Sequence, residues 1–193
     1  MSRILVIYGT TEGQTAKVAR CLGDVLREEG VAADVTNAGA EWPDAGQYDA
    51  VIVAASIHAG GYQRAVRRWV RAHADVLNGK PTAFVSVCLA VLQPEAAVQQ
   101  ELNAIADRFV RSTGWRPSTI KHVAGALAYS RYNWFKRRAM VRIVRKAGGD
   151  TDTSRDYEYT DWADVRAFAG AFARSLPTRP MAPEVVWAPG KVA

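Results

Sequence analysis

The apolar residues of this chain follow two alternating rhythms. Short, nearly unbroken runs bounded by turn-forming residues read as strands over Arg3–Tyr8, Ala33–Asn37, Ala50–Ala55, Thr82–Val87 and His122–Ala128. Between them apolar positions return every three or four residues, which reads as helix. Ala16–Glu29 carries Val18, Ala19, Leu22, Val25 and Leu26 on one stripe and stops at Gly30. Ala65–Leu77 aligns Val66, Trp69, Val70 and His73 and ends at Asn78-Gly79 ahead of Pro81. Glu95–Arg111 repeats Val98, Leu102, Ile105, Ala106 and Phe109, and Asp161–Leu176 repeats Trp162, Val165, Phe168, Ala169 and Phe172. Runs such as Val51-Ile52-Val53-Ala54-Ala55 have no polar face, so they need apolar cover on both sides, which a parallel sheet between two helical layers supplies. The pattern predicts a doubly wound α/β fold with a five-stranded parallel sheet. In such a fold the ligand sits beyond the carboxyl ends of the strands, where the strand order reverses.

The first of those strand ends carries the most specific chemistry. Gly9-Thr10-Thr11-Glu12-Gly13-Gln14-Thr15 joins a strand to a helix, so free main-chain N–H groups and the positive end of the helix converge on one spot suited to an anion. The hydroxyls of Thr10, Thr11 and Thr15 add donors, while Gly9 and Gly13 let the backbone approach a ligand without a Cβ in the way. A nucleoside-triphosphate loop would need a lysine where Gln14 stands and one more residue between the glycines, and the dinucleotide pattern G-x-G-x-x-G is absent. What remains is a neutral cradle for a terminal monophosphate, the pattern of flavodoxin-like FMN proteins. The loops after the third and fourth strands, Ser56-Ile57-His58-Ala59-Gly60-Gly61 and Cys88-Leu89-Ala90, are then expected around the flavin ring, with main chain at the glycines close to its plane and apolar side chains over a face. Neither loop carries a carboxylate, so a reduced, negatively charged ring would meet little repulsion and its potential should be less negative than in acidic electron carriers. His58 is either a proton relay or an exposed residue without a role; His73 and His122 sit in apolar contexts that suit structural histidines, and Cys88 suits core filling. No metal site is implied.

Composition narrows the setting. A chain of 193 residues with 49% hydrophobic content forms one α/β core, expected over residues 1–176 as a single FMN-binding domain, with 177–193 a loosely ordered, proline-bearing tail. Two distant cysteines, Cys21 and Cys88, give neither a disulfide framework nor a zinc pattern. With no targeting pattern and no run of about 20 apolar residues, a cytoplasmic protein is expected. The net charge of +6 is concentrated: Arg131, Lys136, Arg137, Arg138, Arg142, Arg145 and Lys146 lie in one short stretch without an acid, and the rest of the chain is nearly neutral.

Further motifs run along the chain: Gly13-Gln14-Thr15, which alone indicates only an FMN fold, Ala55-Ser56-Ile57, Ser86-Val87, Trp115-Arg116-Pro117, and the more distinctive segment from Ala124 to Trp162 with Ala124-Gly125-Ala126-Leu127, the series Tyr129, Tyr132, Trp134, the run 148–153 and Tyr159-Thr160-Asp161-Trp162. Together they resemble the flavodoxin-type, menaquinone-dependent protoporphyrinogen oxidases of bacterial haem synthesis, from Ile4 to about Phe172. The resemblance implies FMN held by Thr10, Thr11, Glu12, Gly13, Gln14 and Thr15, with Ser56–Gly61 and Cys88–Ala90 around the ring, oxidation of protoporphyrinogen IX, and electron transfer to menaquinone. The chain departs from that family at Val91-Leu92-Gln93-Pro94-Glu95-Ala96, which is apolar to acidic where relatives are polar and basic.

The basic stretch is the part a minimal flavodoxin does not need. As a helix over Arg131–Ala147, within an insert spanning 131–153, it gathers Tyr132, Phe135, Ala139, Met140, Ile143, Val144 and Ala147 on one side and Arg131, Arg138, Arg142, Arg145 and Lys146 on the other. Three uses fit: a solvated surface helix, a peripheral contact with anionic headgroups on the inner membrane face anchored by Tyr132 and Trp134, or a cradle for porphyrin carboxylates. No nucleic-acid motif accompanies the charge. Two other functions share the fold and cofactor, an FMN-dependent NAD(P)H:quinone reductase and an electron carrier, and a homo-oligomer stays open.

Overall fold

The computed structural model describes residues 2–131, 138 and 152–177. Five parallel strands, β1 (Arg3–Gly9), β2 (Ala32–Asn37), β3 (Ala50–Ser56), β4 (Thr82–Cys88) and β5 (Thr119–Ala124), lie in the order β2-β1-β3-β4-β5. The order reverses between β1 and β3, paired in register from Ile4 with Ala50 to Gly9 with Ala55. That reversal places the loops after β1 and β3 on either side of one crevice.

Alternation along the strands divides the core. Ile4, Val6, Ile52, Ala54 and Val85 face a layer formed by α1 (Gln14–Glu28) and a C-terminal helix, here α5 (Trp162–Arg174), through Val18, Leu22, Leu26, Val165, Ala169 and Phe172. Leu5, Ile7, Val51, Val53 and Phe84 face α2 (Arg64–Ala72), α3 (Ala74–Asn78) and α4 (Ala96–Thr113) through Val66, Trp69, Leu77, Ile105 and Phe109. This is the two-sided burial that the unbroken apolar runs require. Trp115 is buried at the end of α4 and donates from Nε1 to Thr82 Oγ1 at 3.1 Å.

Two sequence-based boundaries change. The helix expected over Ala65–Leu77 is split at His73, whose φ of −113° leaves the helical region. Its main-chain N–H donates to both Trp69 O and Val70 O at 3.2 Å, and its ring Nδ1 lies 2.9 Å from the same Trp69 O, so main chain and side chain together close the last turn of α2 there. The strand expected over His122–Ala128 begins earlier, at Thr119, and ends at Ala124. Gly125 accepts from Tyr159 N at 3.1 Å and donates to Cys88 O at 3.3 Å, turning the chain out of the main sheet into β6 (Ala126–Leu127), which pairs antiparallel with β7 (Tyr157–Glu158). A small cluster of Leu127 and Tyr129, with Leu89, Tyr157 and Tyr159 against it, fastens this hairpin to the turn after β4.

The expected insert helix and tail fall almost wholly outside the described residues: Tyr132, Trp134, Arg142, Arg145, Lys146 and 178–193 are not described, nor is the side chain of Arg131, while Arg138 is exposed. Among the described residues no helix is long and apolar enough to cross a membrane.

Candidate functional site

A cavity of about 300 Å³ opens at the strand-order reversal. It is lined by Thr10, Glu12, Gln14 and Thr15 from the loop after β1, Ser56, Ile57, His58 and Ala59 from the loop after β3, and Cys88, Leu89 and Ala90 from the turn after β4. The structure thus brings together three segments that periodicity alone had placed at separate strand ends. Thr11, Gly13, Gly60 and Gly61 do not line it; they shape the loops whose neighbours do. Val87, Gly125 and Ala126 complete the wall, and the sequence reading had assigned none of them to the site. Among the described residues no lysine or arginine lines the cavity.

The front of α1 is built to receive an anion. Its N-cap, Gly13, has no side chain to satisfy the first N–H groups, and its first turn contains no acid. By contrast α5 is capped by Asp161, whose carboxylate accepts from Asp164 N at 3.0 Å. Thr15 is 1% exposed, and its Oγ1 is buried without a hydrogen-bond partner among the described residues. A buried hydroxyl left so costs free energy unless something else occupies the spot. The Thr10 hydroxyl accepts from Gly13 N at 2.9 Å, which closes the loop and leaves its hydrogen to point elsewhere.

The two glycines serve the loop in different ways. Gly13 adopts φ 97°, a left-handed conformation that side chains rarely take. At Gly9 the missing Cβ makes room for α2: a Cβ there would lie 2.5 Å from Val66 Cγ2.

After β3 the chain forms a tight two-residue turn. His58 and Gly61 exchange main-chain hydrogen bonds of 2.8 and 3.1 Å, and Ala59 and Gly60 between them have φ of 48° and 73°. Positive φ at both central positions is the type I′ geometry, unusual at the alanine. The turn projects Ile57, His58 and Ala59 into the cavity.

Two polar ties fix the loops. Gln63 reaches Ser56 and Thr11 at once. On the other side the buried Gln14 donates from Nε2 to Thr160 Oγ1 at 2.8 Å, and Thr160 in turn donates to Ala124 O at 2.8 Å. Lys17 on α1 pairs with Glu158 on β7 at 2.6 Å, and this hydrogen bond holds the Glu158 carboxyl below its ordinary range. Cys88, expected either at the ring or as core filling, lines the cavity, and burial pushes its thiol up. His122 is only half satisfied: Nε2 meets Asn103 Oδ1 at 3.1 Å, while Nδ1 is buried without a partner among the described residues, and burial pulls its pKa down. His73 and His122 lie outside the cavity lining.

Comparison with known proteins gives a consistent picture. The model of a family described as flavodoxin domain matches residues 5–154. A protein of Escherichia coli named protoporphyrinogen IX dehydrogenase (quinone) is 40% identical over 172 residues, covering 89% of this chain and 94% of that one. One of the same name from Leishmania major is 34% identical over 187 residues, covering 93% and 80%. Among solved structures, oxidised flavodoxin 1 from Bacillus cereus superposes with a TM-score of 0.56 at 17% identity, covering 91% of this chain and all 100% of the other, which speaks for the fold alone.

Proposed function

The chain belongs to the flavodoxin-domain family, in its protoporphyrinogen IX dehydrogenase group, and from that premise we propose that it oxidises protoporphyrinogen IX with FMN held in the cavity at the strand-order reversal, the electrons passing to menaquinone. The observation that carries the cofactor assignment is the Thr15 hydroxyl, buried at the uncapped front of α1 with no partner among the described residues. A terminal phosphate would satisfy it together with the N–H groups that open the helix and the hydroxyls of Thr10 and Ser56. The residues therefore fit FMN. When bound, FMN supplies reversible two-electron chemistry, and three such cycles convert the porphyrinogen to the aromatic porphyrin.

The chain's own residues place and tune that chemistry. Ile57, Ala59, Leu89 and Ala90 offer apolar walls for a flat ring and keep water from its faces. The Cys88 thiol, pushed up by burial, stays uncharged at neutral pH. The loops 56–61 and 88–90 bring no carboxylate to the ring, which favours a reduced, anionic form. Residues 131–147, which include the exposed Arg138, are proposed to meet an anionic membrane surface, where a hydrophobic quinone is dissolved.

The test is anaerobic. Purified holoprotein is mixed with protoporphyrinogen IX, then with a menaquinone analogue, while the flavin absorbance is followed. The flavin bleaches on the first addition and recovers on the second. A flavin that stays oxidised with the porphyrinogen but bleaches with NAD(P)H would replace this reading with a nicotinamide-fed quinone reductase.

A further inference from the structure

The amide of Gln63 has only one orientation that its surroundings allow. The main-chain N–H of Ser56 can only donate, so the side-chain atom 3.2 Å from it is Oε1. The NH2 end then faces the Ser56 hydroxyl at 2.6 Å and the Thr11 hydroxyl at 3.2 Å. An amide NH2 has hydrogens to give and no lone pair to offer, so both hydroxyl oxygens accept from it and neither hydroxyl hydrogen is spent on it. Ser56 lines the cavity, so its hydrogen is left for whatever the cavity holds. Among the described residues no cationic side chain lines that cavity, and those that do line it can recognise an anion only through hydroxyl and amide hydrogens. In such a site the direction of each hydroxyl decides whether a negative charge is welcome.

We propose that Gln63 is a positioning residue that sets the selectivity of the site for the phosphorylated flavin. Its amide ties the loop after β1 to the loop after β3, caps the acceptor side of Thr11 and Ser56, and turns the Ser56 hydrogen toward the ligand phosphate. The inference rests on the FMN reading above and adds the residue that distinguishes FMN from riboflavin. A glutamate at this position would accept from the same three groups. It would keep the tie while drawing the hydroxyl hydrogens away from the cavity.

The experiment measures FMN and riboflavin binding by quenching of flavin fluorescence in apoprotein, at about 0.5 M salt so that bare charge repulsion is screened. Wild type is compared with Gln63→Glu, Gln63→Leu, Ser56→Ala and the double variant carrying Gln63→Glu and Ser56→Ala. Gln63→Glu is expected to weaken FMN about tenfold more than riboflavin, the scale of one lost charge-assisted hydrogen bond. Once Ser56→Ala has removed the redirected hydroxyl, Gln63→Glu should change the FMN-to-riboflavin ratio by only about twofold more. Gln63→Leu removes the amide and frees the Ser56 hydroxyl to rotate without drawing its hydrogen away, so it should weaken FMN more than riboflavin, but by less than Gln63→Glu does. An unchanged ratio in Gln63→Glu overturns the proposal. So does an equal loss with and without the Ser56 hydroxyl, or a selective loss of FMN in Gln63→Leu as large as in Gln63→Glu. A wild-type apoprotein that binds neither flavin would instead defeat the FMN reading itself.

Discussion

Thr15 and Gly13 hold the physics of the site at the smallest scale. One supplies a buried hydroxyl with no protein partner among the described residues, and the other presents the helix front by adopting φ 97°. Gly13→Val forces a β-branched residue into that left-handed conformation, at a cost on the order of 2 kcal/mol. In a chain of this size that lowers the melting temperature by about 4–8 °C. The same change tilts the first N–H groups of α1, so FMN affinity should fall by about tenfold or more in a fluorescence titration. Full flavin occupancy at wild-type strength would refute the cradle. The threonine-rich loop was legible because strand, loop and helix are contiguous, so local pattern and function coincide. The packing role of Gly9 was not legible, since its partner Val66 is distant in sequence and the approach of α2 cannot be seen from the loop. Gln63 and the left-handed Ala59 were invisible for a related reason: a glutamine before a helix and an alanine in a loop carry no local signature of the contacts they make.

Between elements, the site depends on how the β6–β7 hairpin is bound to α1 and β5. Thr160 is the link, bonded to Gln14 on one side and to the Ala124 carbonyl on the other. Thr160→Val preserves shape but takes one acceptor from Gln14 and one donor from the Ala124 carbonyl, and should cost about 1–3 kcal/mol by denaturant unfolding, with weaker FMN binding because Gln14 lines the cavity. Glu158 adds a pH signature. Its carboxyl is held below the ordinary range by Lys17, so the folded state favours the ionised form. The stabilisation is therefore complete above the unfolded-state carboxylate pKa and is lost as pH falls through the depressed folded value. Melting temperatures measured from pH 7 downward should fall more steeply for wild type than for Glu158→Gln in the acid range, and parallel curves would remove Glu158 from the account. The hairpin escaped sequence reading because each strand has two residues and about 30 residues separate them. Periodicity needs a longer run, and Gly125 read as part of one strand rather than as the point where the chain leaves the sheet.

At the scale of the molecule, the doubly wound sheet was legible almost entirely. Strands buried on both faces, such as Val51–Ala55, admit few other architectures, and the reversal between β1 and β3 gathers three loops that are far apart in sequence. The chemistry was less legible, because flavin enzymes place the reaction on the cofactor and ask the protein for geometry and charge, neither of which leaves a catalytic motif. The central claim is that uncharged hydroxyl and amide groups at the front of α1 hold FMN. Titration of apoprotein with FMN, followed by flavin fluorescence and visible absorbance, tests it most directly. The account predicts quenching that saturates at one flavin per chain with a dissociation constant of about 1 μM or lower. A folded apoprotein that stays colourless and leaves the fluorescence of FMN unchanged at about 100 μM would contradict it.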